Sequence, residues 1–99
     1  MAKKVYISGK ITNNSNFREE FLKAEVYLKS LGYDVVNPVR IGECMGEVPY
    51  EKYMKEDIKA LCDCDMIYLL PNWQDSKGAK MEYCIALFLN LEVKTETVN

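Results

Sequence analysis

The 99-residue chain carries 13 basic and 15 acidic residues and no histidine, so its formal net charge is −2. A chain of this length with 48% apolar residues is expected to form one small domain, over residues 1–99, with a core of its own. The weak charge argues against binding of a nucleic-acid polymer, and we expect neither a membrane span nor a signal peptide.

Strand and helix patterns alternate along the chain. In order, the predicted elements are a strand over 4–8, a helix over 17–31, a strand over 33–37, an irregular loop over 39–48, a helix over 50–61, a strand over 66–70, a helix from 76 to about 91 and a loose last strand over 92–98. Asn16 and Glu19 resemble a capping box before the first helix, and Gly32 is suited to end it. This alternation predicts a flavodoxin-like α/β fold, a three-layer sandwich whose small parallel sheet, of order 2-1-3-4, has helices on both faces.

A sheet of that order binds ligands beyond the carboxyl ends of its strands, where the order reverses. The first and third strands end there, so we expect the loops over 8–16 and 71–76 to line a site. Ser76 is a suitable N-cap for the helix that follows. Gly78 removes side-chain bulk at a point where a ligand or another backbone could approach.

Two acids lie on helix faces that are otherwise apolar. Glu82 shares a stripe with Ile85 and Leu89, and Asp57 shares one with Tyr53. A buried carboxylate is costly unless it is paired or used in chemistry. Because burial and mutual repulsion push the pKa values of two neighbouring carboxyl groups apart, one acid could hold a proton while the other stays ionised, as cleavage of a glycosidic bond requires.

Other interpretations of these residues stay open. Each acid could instead pair with a lysine at the helix rim, such as Lys80 or Lys55, and spacing alone does not decide. Trp73 could stack on a base or cover a helix end. Tyr50 and Tyr53 fit a core or an interface better than a base-binding surface.

The four cysteines have no zinc-site spacing, and there is no histidine to complete a ligand set. We therefore expect no metal and no cofactor, and read the thiols as free in a reducing compartment, the cytoplasm.

Four segments carry a resemblance to a known family. They are 5–9 (VYISG), 32–38 (GYDVVNP), 57–65 (DIKALCDCD) and 76–82 (SKGAKME). In this order they resemble the nucleoside 2-deoxyribosyltransferase family, including its small bacterial and phage-type relatives, and are also similar to deoxyribonucleoside 5′-monophosphate N-glycosidases. The last segment is the most specific, because the family's nucleophile is a Glu four residues after a Gly, as Glu82 is after Gly78.

The resemblance implies a covalent mechanism. Glu82 would attack C1′ of a deoxyriboside, Asp57 would assist the sugar hydroxyls or the departing base, and Tyr6 would hold the nucleophile. Ser76 matches a residue that touches phosphate in the monophosphate-cleaving branch. Lys10 and Thr12 depart from the family pattern, although Lys10 could bind a phosphate as a point charge. The substrate-binding candidates are Ser8, Gly9, Lys10, Trp73, Ser76 and Gly78.

The expected function is thus cleavage or transfer of the N-glycosidic bond of a 2′-deoxynucleoside or its 5′-monophosphate. The alternatives are a catalytically silent nucleotide-binding module and a hydrolase of another N-glycoside, such as a nicotinamide nucleotide. The expected partners are a small nucleoside or nucleotide and further copies of the chain. A homo-oligomer, at least a dimer, is predicted because relatives self-associate and because one domain cannot readily cover all its large apolar side chains, which include Tyr50, Tyr53, Met54, Trp73 and Phe88.

Overall fold

Residues 2–96 are described by the computed structural model, and they form a four-stranded parallel sheet with helices on both faces. The strands are β1 (Lys4–Ser8), β2 (Asp34–Val36), β3 (Met66–Leu69) and β4 (Glu92–Thr95). The helices are α1 (Phe17–Ser30), α2 (Pro38–Met45), α3 (Tyr50–Cys62) and α4 (Lys77–Phe88), and a short 3-10 helix, Trp73–Asp75, precedes α4. The order β2-β1-β3-β4 confirms the predicted flavodoxin-like α/β fold. None of the helices within this range has the length and apolar character needed to cross a membrane.

The two faces of β1 belong to different halves of the core. Val5 and Ile7 pack with the buried face of α1, whereas Tyr6 packs on the other side with Leu61 of α3 and Ala86 of α4. Successive strand residues point to opposite faces, so Ser8 lies on the same side of the sheet as Tyr6. The period of the strand therefore directs two polar side chains towards α4.

β1 and β3 end at the same level, because Ser8 pairs with Leu69 in the parallel register. The chain then passes close to its neighbour at Gly9, where an added Cβ would lie 2.8 Å from a methyl carbon of Leu70. Only glycine fits there without displacement, and the adjacent strand ends open into one crevice.

The region 39–48, predicted as an irregular loop, is largely helical, and that prediction was wrong. The Oδ1 atom of Asn37 accepts a hydrogen bond of 3.0 Å from the Val39 amide, and Pro38 occupies the first helical position. Both features favour a helix start. α2 ends before Gly46, whose φ of +73° suits glycine. The Asn37-Pro38 pair is the sequence signal for the start of this helix, whereas the prediction above uses it only as the end of a strand.

A cluster of charged residues around the buried Glu25 attaches α2 to α1. The carboxylate of Glu25 accepts hydrogen bonds from Arg40 at 2.7 and 2.8 Å and from Asn37 at 3.2 Å, and Lys29 lies 3.2 Å away. These partners, Arg40 above all, lower the pKa of Glu25 to about 2. The cluster fixes the position of the helix that forms one wall of the crevice.

Smaller differences concern the ends of elements. β2 and α4 are shorter than predicted, and α4 ends at Phe88. Asn16 precedes α1 but its side chain makes no capping hydrogen bond; instead Asn14 accepts from the Asn16 amide at 3.2 Å. The predicted last strand is present as β4, while residues 97 and 98 of that prediction lie outside the described range.

Candidate active site

A cavity of about 520 Å³ lies beyond the end of β1, among α1, α2, α3 and the start of α4. Of the two loops predicted to line a site, the first contributes Gly9, Ile11 and Thr12, whereas the second contributes Ser76 alone among the described residues. Asp57 and Glu82 share this cavity, although they come from different helices. The predicted site residues that line it are Tyr6, Gly9, Asp57, Ser76, Gly78 and Glu82.

The carboxylate of Glu82 is held at both oxygens. The residue Glu82 is 5% exposed. The Tyr6 hydroxyl donates to Oε2 at 2.6 Å, and the Ser8 hydroxyl donates to Oε1 at 2.7 Å. Burial raises the pKa of Glu82, and the two hydrogen bonds act against that rise. Two donors and burial fix the orientation of this carboxylate, and no cation pairs with it within residues 2–96, as suits a nucleophile.

The second acid, Asp57, lacks such support. It is half-buried, and within residues 2–96 no side chain hydrogen-bonds to its carboxyl group or forms an ion pair with it. Burial raises its pKa to about 7, and the negative charges of Glu82 and Glu56 add to the rise. Near neutral pH, Asp57 can therefore hold a proton, while the two hydrogen bonds to Glu82 favour the ionised form of that acid. Neither rim lysine considered above pairs with either acid among the described residues.

The hydroxyl of Tyr6 remains a donor in this environment. Burial and the negative charges of Glu82 and Asp57 raise the pKa of Tyr6 well above its ordinary value. A phenol that stays protonated continues to stabilise the ionised form of its carboxylate partner.

The start of α4 is fixed by its own cap and by α3. The Oγ atom of Ser76 accepts from the Ala79 amide at 3.1 Å, as expected of an N-cap. A Cβ at Gly78 would lie 3.0 Å from the Tyr50 hydroxyl and 3.3 Å from the Met54 sulfur. The missing side chain at Gly78 thus lets α3 approach α4 closely at the edge of the cavity.

Three of the predicted substrate-binding residues do not line the cavity within the part of the chain that the structure describes. Ser8 is fully buried behind Glu82. Lys10 donates its backbone amide to the Asn72 side chain at 3.2 Å. Trp73 packs against Tyr83, with ring centroids 4.8 Å apart, so its ring is occupied by a neighbour on α4.

Comparison with known proteins places the chain in a family. The model of the family described as "Domain of unknown function (DUF4406)" matches residues 3–95. The chain belongs to the DUF4406 family. Among solved structures, it is similar to a 2-deoxyribosyltransferase from the psychrotolerant bacterium Bacillus psychrosaccharolyticus, with a TM-score of 0.72 and 22% identity over 97% of this chain and 77% of that one. A likeness at this identity shows a shared fold. A comparison with curated proteins gives no match.

Sequence reasoning missed several residues that line the cavity of this DUF4406 protein. Arg18 of α1 lies with its Nε 3.7 Å from Glu43 of α2, and its guanidinium is 4.6 Å from the centre of the Phe17 ring. Tyr50 and Tyr53, expected in a core or interface, also line the cavity. Their position on the Asp57 face of α3 was a usable signal, whereas Arg18 lies beside Glu43 of α2, a helix that the sequence patterns did not predict.

The loop between α2 and α3 is held by Tyr53. Its hydroxyl donates to the Gly46 carbonyl and accepts from the Val48 amide at 3.3 Å. Across residues 2–96, no group of three or more side chains is gathered as metal ligands would be. The site is thus an acid pair in a cavity with several aromatic side chains in its walls.

Proposed function

We propose that this protein cleaves or transfers the N-glycosidic bond of a 2′-deoxynucleoside or its 5′-monophosphate, with Glu82 as the nucleophile. The observation that carries the proposal is the unequal acid pair: a doubly hydrogen-bonded Glu82 and an unsupported Asp57 in one cavity. The shared fold with a 2-deoxyribosyltransferase supports the same reaction class.

In this mechanism an oxygen of Glu82 attacks C1′ while the C1′–N bond breaks. The bonding electron pair passes to the base nitrogen, and the base takes up the proton that Asp57 holds. The product is a deoxyribosyl ester of Glu82. A free base then attacks C1′ in a transferase, or water does so in a hydrolase; the attacking group gives its proton to the Asp57 carboxylate, and Glu82 is released as the carboxylate.

The cavity walls support a nucleoside-sized partner. Aromatic side chains from α1 and α3, including Phe17, Tyr50 and Tyr53, offer apolar surface to a base. Ser76 and Gly78 line the cavity at the start of α4, where the resemblance places phosphate contacts. Lys10 and Trp73 do not line the cavity, so they have no substrate contact in this proposal. We propose that the enzyme works in the cytoplasm without a cofactor.

The test is turnover by the Glu82→Gln variant. The native protein is incubated with a panel of deoxynucleosides and their monophosphates, with and without a free acceptor base, and released base is measured by chromatography. Glu82→Gln should keep the fold but lose activity by at least about a thousandfold, because the amide cannot form the ester. Glu92→Gln, an identical change at an exposed acid paired with Lys3, is the control and should be fully active.

A glycosyl adduct on Glu82, trapped with a slow 2-fluorinated substrate and seen by mass spectrometry, would support the covalent step. Wild-type turnover by Glu82→Gln would refute it. Binding of nucleotides by a native protein that cleaves no N-glycoside would favour the silent binding module. Cleavage confined to another N-glycoside, such as a nicotinamide nucleotide, would favour the other hydrolase.

We also propose that the protein is at least a dimer. The outer face of α4 exposes large apolar side chains, with Phe88 91% exposed and both Met81 and Leu87 about half exposed. Such a surface is typical of a contact. Sedimentation at micromolar concentration should show an oligomer that Phe88→Asp dissociates, and a purely monomeric native protein would contradict the proposal.

A further inference from the structure

The two oxygens of Glu82 face different surroundings. Oε2 is bound by Tyr6, a fully buried residue that borders the cavity, whereas Oε1 is bound by Ser8, which is equally buried and does not border the cavity. Both hydrogen bonds are short, at 2.6 and 2.7 Å, so Oε2 lies beside a residue of the cavity wall and Oε1 beside a residue behind that wall.

We infer that Ser8 is a positioning residue and not a substrate ligand: it holds Oε1 of Glu82 inside the protein and keeps that carboxylate ionised, so that Oε2 is the attacking oxygen and the proton of the acid pair stays on Asp57. This inference rests on the proposed function for the attack, but the ionisation of Glu82 can be measured without any substrate.

Ser8 is the last residue of β1 and is fully buried. The other buried residues of this strand are the apolar Val5 and Ile7, and Tyr6, whose hydroxyl donates a hydrogen bond to Glu82. An apolar residue at position 8 would leave Oε1 buried without a partner, which is costly for an ionised group. A hydroxyl donor stabilises the charged form of a carboxyl group, and such a donor contacts Glu82 but not Asp57 among the described residues.

The other groups around the pair do not reverse this assignment. Tyr6 of β1 is a second donor to Glu82, and Asp57 of α3 is a like charge that disfavours ionisation of both acids at once. The remaining charged residues of the cavity wall come from α1, α2 and the loop that follows it; they are Arg18, Glu43 and Glu47. Arg18 is the cation of this set, and it lies beside Glu43.

The test compares Ser8→Ala with Tyr6→Phe and Ser8→Cys. Ser8→Ala and Tyr6→Phe each remove one hydroxyl from the same carboxylate, one behind it and one at the cavity. Ser8→Cys keeps a weak donor of similar size. The carboxyl groups of Glu82 and Asp57 are titrated by carbon-13 NMR in the protein without ligand, with Glu82→Gln and Asp57→Asn to assign the signals.

Ser8→Ala should raise the pKa of Glu82 by about one unit or more, which corresponds to the loss of one hydrogen bond to a charged group. The pKa of Asp57 should fall, because a Glu82 that is ionised to a smaller extent repels the ionised form of Asp57 less. Ser8→Cys should lie between the native protein and Ser8→Ala. A change in side-chain packing alone would not move these two pKa values in opposite directions.

Kinetics provides the second measurement. The acidic limb of kcat/KM should move to higher pH by the same amount in Ser8→Ala, with KM unchanged above that limb, whereas Tyr6→Phe should also alter KM.

An unchanged pKa of Glu82 in Ser8→Ala would overturn the inference, and so would a raised KM with an unaltered pH profile. If Ser8→Ala does not fold, the Ser8→Cys titration decides by the same criteria. If the native protein cleaves no N-glycoside, the proposed function fails while the titration still decides whether Ser8 keeps Glu82 ionised.

Discussion

Asp57 should make the folded protein less stable at neutral and alkaline pH. Its side chain is half-buried, no described side chain donates to it, and the charge of Glu82 acts on it. An Asn at this position has nearly the same shape but no charge to desolvate. We therefore expect Asp57→Asn to stabilise the fold while impairing the reaction.

The magnitude follows from the pKa of Asp57, which rises from 3.8 to about 7 on folding. A shift of about three units corresponds to at most about 4 kcal/mol, and solvent screening of a half-buried group reduces this to about 2 kcal/mol. The folded state binds more protons than the unfolded state between these two values, so the free energy of unfolding falls as the pH rises from about 4 to 7. The cost is absent below pH 4 and complete above pH 7.

Urea unfolding at several pH values measures this effect. At pH 8, Asp57→Asn should be more stable than the native protein by about 2 kcal/mol, or about 8–16 °C in Tm for a domain of this size. At pH 4 the two should be equally stable. The exposed Asp63, at the end of the same helix, gives the control Asp63→Asn, which should show no comparable gain. Equal pH dependence in Asp57→Asn and the native protein would refute the reasoning.

Two other predictions concern stability away from the acid pair. The free energy of unfolding of Glu25→Gln at pH 7 should be lower by about 1–2 kcal/mol; the pKa shift alone corresponds to about 3 kcal/mol, but the cationic partners of Glu25 are exposed and solvent screens them. Because folding lowers the pKa of Glu25 from 4.5 to about 2, this deficit should disappear as the pH falls through that range. Acid titration of both proteins measures the effect. Gly9→Ala should destabilise the fold by about 1–3 kcal/mol, because the new Cβ would overlap the Leu70 side chain. Gly78→Ala should be nearly neutral, because its Cβ would contact the end of the half-exposed Tyr50 side chain, which can move. Thermal unfolding of the two variants measures the difference, and equal losses would contradict it.

The sheet could be predicted from the sequence because its signals are local. The apolar runs that became β1 and β3 have the length of buried strands, and the helices between them have clear periodicity. Strand order followed from the rule for parallel crossovers, with no need for individual contacts. The strand order in turn predicted a crevice at the point where the order reverses, and hence the general region of the site.

The details of the site depended on contacts that no local pattern shows. Ser8 was expected to touch substrate, because its position at a strand end is all that the sequence reveals. Its contact with Glu82 joins residues 74 positions apart and depends on the register between β1 and α4. Arg18 was missed for a similar reason. It lies beside Glu43 of α2, and the start of that helix at Asn37 and Pro38 is interpreted from the sequence as the end of a strand.

The two groups of buried or half-buried carboxylates in this small protein differ in a way that bears on function. Glu25 is surrounded by two cations and an amide, and its pKa is lowered, as expected of a group that stabilises the fold. Glu82 and Asp57 have no cationic partner among the described residues, and the pKa values of both are raised. The fold provides the buried Glu25 with cationic partners, so its stability does not require a second group of acids that lacks such partners. Raised carboxyl pKa values in a shared cavity reduce stability, and this cost supports the proposal that the pair takes part in chemistry.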